Sequence, residues 1–180
     1  MTKYLGLISF IVIVSGLFFT VWRWPGGLHM TFSQHVARSR SSAIYYSLFF
    51  ALSLPLLCTF LVSWFAPAFQ LSDWYGFLVI VSSIFQFLCT LVPEVSGWKV
   101  RVHRILAGIS GILLLPATAL IIASPVITRT DKILTGVCLA GMVMLLAIAL
   151  KNQKSYPYAL LLQAGYYFLF FVPILFITYF

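Results

Sequence analysis

The residues able to do chemistry in this 180-residue chain fall mainly in two stretches. Pro93 to Arg104 holds Glu94, Lys99, Arg101, His103 and Arg104 within twelve residues, and Gln34 to Ser42 holds His35, Arg38, Arg40 and three serines. Arginine presents a planar fork of donors that grips two oxygens of a phosphate or carboxylate at once. Arg38, Arg40, Arg101, His103 and Arg104 are therefore the candidate ligands of an anionic group, with Glu94 placed to orient one of them. Ser39, Ser41, Ser42 and the backbone N–H groups at the start of a following helix would add donors to the same anion. A plainer reading of these cations needs no site, because basic residues beside a membrane anchor it against anionic headgroups.

Other chemistries fit the same residues less well. His29, His35, His103 and Glu94 have acceptable metal-ligand types, but no H-E-x-x-H or comparable spacing joins them. A haem would need histidines facing one another within the membrane, and only His103 lies near an apolar run. There is no nucleophile elbow, phosphate-binding glycine loop or headgroup-transferase motif. Cys58, Cys89 and Cys138 are odd in number, far apart and inside apolar runs, as packing residues would be, and they suggest no disulfide framework or zinc site. The sequence thus assigns no catalytic residue, metal or cofactor, and no nucleic acid as partner.

These stretches must be positioned by elements that lie in lipid. Apolar residues make up 62% of the chain and charged residues 8%, with a mean hydropathy of +1.07. A soluble domain carries roughly 25% charged residues, so a surface this poor in charge must face hydrocarbon. The expected fold is all-α, a single transmembrane bundle over residues 1–180. At about 20 residues per span, six spans are predicted near residues 4–24, 43–65, 74–91, 105–123, 133–150 and 158–179. The first run follows Lys3 and ends in Trp22-Arg23-Trp24 rather than a small-x-small cleavage site, and reads as a retained span with interfacial tryptophans.

Counting Lys and Arg by loop gives an orientation. Eight of the eleven fall after spans one, three and five, and Glu94 and all three histidines share that side. The positive-inside rule then places that side in the cytoplasm and both termini outside, in a multi-pass protein of a bacterial inner membrane. Spans two, four and six each carry an internal proline, Pro55, Pro116 and Pro173, so three hairpins with a kinked second helix are expected. Ala107-x-x-x-Gly111 and Gly136-x-x-x-Ala140 are small-residue pairs that allow close helix approach. Gln86 and Gln163, the amides well inside spans, either bond within the bundle or line a polar cavity.

The six short-looped spans, a first loop rich in Ser and Arg with Ser33, and Glu94, Trp98 and His103 leading into span four resemble a bacterial family of six-helix membrane proteins distantly similar to the Frag/DRAM/Sfk1 proteins. That resemblance implies a six-helix fold and a connection to lipid handling, but no reaction. The strongly basic first loop departs from its pattern. Three functions follow as expectations: binding of an anionic membrane lipid or lipid-like ligand at a basic vestibule, a small transporter or channel using the kinked spans, or a structural subunit docking on a membrane-protein partner or a second copy through Tyr166 to Phe171.

Overall fold

The computed structural model describes residues 2–94, 96–151 and 157–180. Among them every regular element is a helix: α1 (Thr2–Arg23), the short α2 (Phe32–Val36), α3 (Arg40–Ala68), α4 (Asp73–Leu91), α5 (Trp98–Ile122), α6 (Arg129–Lys151) and α7 (Ala159–Tyr179). All but α2 are long and apolar enough to cross a membrane, and they match the six expected spans. The protein is a multi-pass integral membrane protein. The structure starts the second, fourth and fifth spans three to seven residues earlier than expected, so the Arg101–Arg104 segment lies within α5 rather than ahead of it. Lys154, counted among the basic loops, lies outside the described residues.

Helix ends follow local chemistry. Thr31 and Ser39 cap α2 and α3, each with the reciprocal bond from the third residue of its helix, which satisfies backbone donors a helix start leaves open. Pro55, Pro116 and Pro173 all lie inside helices. Leu61–Phe65 of α3 winds as a π turn, with the Ala66 amide donating to the Leu61 carbonyl. This wide turn comes immediately before Pro67, which has no N–H to give and whose ring crowds the preceding turn.

The packing surfaces are built from small and hydroxylated residues. The buried face of α1 is Gly6, Ser9, Ile13, Gly16 and Thr20, a three-four spacing that keeps one seam against its neighbour. Residues such as Leu7, Phe18, Leu52, Val137 and Phe168 point outward. Four buried threonines are satisfied on their own helix: Thr20 donates to the Gly16 carbonyl, Thr118 to Leu114, Thr135 to Asp131 and Thr178 to Ile174. In lipid this costs nothing in lost water and lets helices approach. The closest approaches are at Gly6 and Gly16, where a Cβ would come within 2.6 Å of the Phe60 ring and 2.1 Å of the Phe49 ring. The pairs read from sequence are looser: a Cβ on Gly111 would sit 3.9 Å from Tyr166, and one on Gly136 4.0 Å from Ile122.

Consecutive spans pack as neighbours, and α7 closes back on α1. Phe10 meets Phe171 edge-on at 5.4 Å, and the Tyr179 hydroxyl donates to the Lys3 carbonyl at 2.7 Å while accepting from the Leu7 amide. The α7 side chains also reach past α6 to α4 and α5: Tyr166 donates to the Gly111 carbonyl at 2.5 Å and Tyr167 to Gln86 Oε1 at 2.9 Å. Helices α1, α3, α4, α5 and α7 therefore surround the centre. Helix α6 packs outside α5 and α7, with 17% of its apolar window buried against 44% for α3.

Candidate functional site at the basic face

The C-terminal ends of α1, α4 and α6 lie at one end of the bundle, and Glu94 ties together the segments that follow the first two. That side chain is 4% exposed, although it is one of only three acids in the chain. Its Oε2 accepts from Thr31 Oγ1 at 3.0 Å and Ser33 Oγ at 3.2 Å. Its Oε1 accepts from Gln34 Nε2 at 3.3 Å and from Arg104 Nε at 3.0 Å. Burial of a carboxylate is tolerable because every oxygen has donors and one partner is a guanidinium. Thr31, Ser33 and Gln34 are the cap and first turn of α2, so Glu94 holds that short helix down across the end of α4 and α5.

Two further bonds hold the first loop. The Phe32 amide donates to Gln163 Oε1 at 3.0 Å, and the Leu160 amide donates to the Leu28 carbonyl at 3.0 Å. His35 is fully buried, its Nδ1 at 2.9 Å from the Trp24 carbonyl, and its Nε2 has no partner among the described residues.

Each residue singled out from sequence has a definite place. Glu94 and Arg104 form an ion pair, the orienting contact expected of Glu94. The pair uses Arg104 Nε alone. Its terminal nitrogens bond to none of the described residues, and the side chain is 43% exposed. Arg101, one turn earlier on α5, is exposed, as is Arg40 in the first turn of α3. Arg38 is exposed but turned back on its own loop, donating to the Pro25 carbonyl and contacting Met30 Sδ.

His103 is not part of this exposed set. It points inward, its Nδ1 2.7 Å from the Val92 carbonyl and Cys89 Sγ 3.3 and 3.4 Å from its two nitrogens. Near-equal distances to both nitrogens put the sulfur over the ring, not in line with a lone pair, so this is a packing contact rather than an activated thiol. His29 is exposed, and no cluster of three metal-ligating side chains occurs among the described residues. Gln86 lines the central cavity, whereas Gln163 is spent on the α2 backbone.

The comparisons add no relative. Neither family models, curated proteins nor solved structures match the chain.

Sequence reasoning set Glu94 to orient one of the neighbouring cations but missed Thr31 and Gln34 as its partners and Gln163 as a tether of the α2 backbone. The T-x-x-Q spacing of Thr31 and Gln34 is a capping signature that could have marked α2. The electrostatic outcome is simple. Glu94 is the only acid on this side, since Asp73 begins α4 and Asp131 lies in the first turn of α6, both at the other end. With Glu94 consumed internally, the exposed charge of Arg23, Arg38, Arg40, Lys99, Arg101, Arg104 and Lys151 has no exposed acid beside it.

Proposed function

We propose that the protein binds anionic lipid headgroups, or a lipid-like anion, at this basic face. The reading rests on one observation: the only acid on the face is buried under α2, so the arginines at its surface have no acidic competitor. Arg101 and Arg104, one turn apart on α5, offer two guanidinium groups to the same headgroup, and Glu94 fixes the second by its Nε while leaving the terminal nitrogens for phosphate oxygens. Arg40 and Arg38 extend the positive surface along the first loop. By the positive-inside rule this face is cytoplasmic and both termini lie outside, in a plasma membrane whose anionic lipids would be the partners.

The test is lipid retention by native mass spectrometry. Protein purified from membranes should carry acidic phospholipid, and Arg101→Gln with Arg104→Gln should reduce the retained fraction at least several-fold relative to zwitterionic lipid. Equal retention of acidic lipid by the double variant and the parent would overturn the proposal.

A further inference from the structure

The side chains of the basic face also bear on which headgroup fits there, an inference that rests on the anion-binding reading above. Arg104 spends its Nε hydrogen on Glu94 Oε1 at 3.0 Å, and its two terminal nitrogens bond to none of the described residues. Arg101, three residues earlier on α5, is exposed and bonds to none of them either. Residues three apart on a helix surface are neighbours, with about 5–6 Å between their Cβ atoms. Two guanidinium groups therefore stand side by side at the surface, and exposed Lys99 lies in the first turn of the same helix.

Oxygens and charge both favour one class of headgroup. A guanidinium fork grips two oxygens at once, so two forks on one phosphate need three oxygens with one shared. A phosphodiester presents only two non-bridging oxygens and fills a single fork, whereas a phosphomonoester presents three. Lys99, Arg101 and Arg104 against the carboxylate of Glu94 leave a net charge of +2. A phosphodiester offsets a single positive charge, and a phosphomonoester about 1.5 to 2 near pH 7. A headgroup bearing an ammonium fits worst. Its cation needs an acid, and the acid at this end is Glu94, 4% exposed and already accepting from four donors.

We infer that the site selects a phosphomonoester over phosphodiester and ammonium-bearing headgroups, its terminal oxygens shared between Arg101 and the free end of Arg104. Such a group is supplied either by a membrane lipid of the phosphatidate kind or by a free phosphomonoester.

The matched probes are dioleoyl phosphatidate and dioleoyl phosphatidylmethanol, which differ by one methyl ester. They are added at equal concentration, with the phosphatidylserine and phosphatidylcholine of the same chains, to delipidated protein in detergent and read by native mass spectrometry. Phosphatidate should be retained about three- to ten-fold over phosphatidylmethanol, with phosphatidylserine below both. Arg101→Gln, which leaves one fork, should bring the ratio of phosphatidate to phosphatidylmethanol to about one while both still exceed phosphatidylcholine. Displacement of phosphatidate by excess glycerol phosphate would support the class and assign the source to a free compound. Persistence of phosphatidate would support it and assign the source to lipid. Equal retention of phosphatidate and phosphatidylmethanol above phosphatidylcholine, phosphatidylserine retained as well as phosphatidate, or an unchanged ratio in Arg101→Gln would overturn the inference and leave the anionic-lipid reading standing. Retention of neither probe above phosphatidylcholine would overturn both.

Discussion

Glu94 carries the most consequence of any single side chain, because four donors from two parts of the chain converge on it. Hydrogen bonds to a charged group contribute about 1.5–3 kcal/mol each at most and are not additive, and the half-exposed Arg104 recovers water when its partner is lost. Glu94→Ala should therefore destabilise the first loop by about 2–4 kcal/mol. Each 1.4 kcal/mol is tenfold in an opening equilibrium, so amide exchange over residues 32–36 should accelerate by roughly ten- to a thousand-fold. Glu94→Gln, which keeps the shape and one acceptor, should fall between. Unchanged exchange at those amides in Glu94→Ala would show that α2 is held by its own cap and by Gln163. That Glu94 would orient one of the nearby cations was legible in the sequence, but that the partner is Arg104 was not. The inward turn of His103 was not, because a histidine among arginines looks like part of their surface until the carbonyl of Val92 is seen to claim it.

At the scale of helices, the sequence gives span existence readily and packing faces poorly, for one physical reason. In a membrane the outside is as apolar as the inside, so no hydrophobic stripe marks the buried face. The signal that does exist is the recurrence of small and hydroxylated residues at positions 6, 9, 13, 16 and 20 of α1. The small-residue pairs four apart, with Gly111 and Gly136, make only ordinary contacts. The difference is measurable. Gly16→Ala should force the Phe49 ring, itself packed edge-on against Phe50 at 4.9 Å, and should lower stability by about 1–3 kcal/mol. Gly108→Ala, where an added Cβ meets nothing within 4 Å, should be neutral or stabilising by up to about 1 kcal/mol through helix propensity. Denaturation in mixed micelles compares the two, and a Gly16→Ala variant as stable as Gly108→Ala would contradict the assigned seam.

The whole molecule is a ring of spans with α6 on its outside and its charge gathered at one end. Composition alone fixed the class, since a chain with 8% charged residues cannot cover itself with a water-facing surface. The lopsidedness was also legible, because charge counts by loop need no tertiary structure. The fold adds that the acid on the basic side is withdrawn from the surface, so that the end is positive in effect as well as in count. The proposed function requires this end to face an anionic, cytoplasmic leaflet, and the most direct measurement is labelling of single added thiols in intact cells with a membrane-impermeant maleimide. Ser96→Cys, exposed in the turn before α5, should stay unlabelled until the membrane is opened, and Val126→Cys, exposed between α5 and α6 at the other end, should label at once. The reverse pattern, with position 96 labelled from outside and position 126 protected, would put the arginines on the wrong side of the membrane and contradict the account.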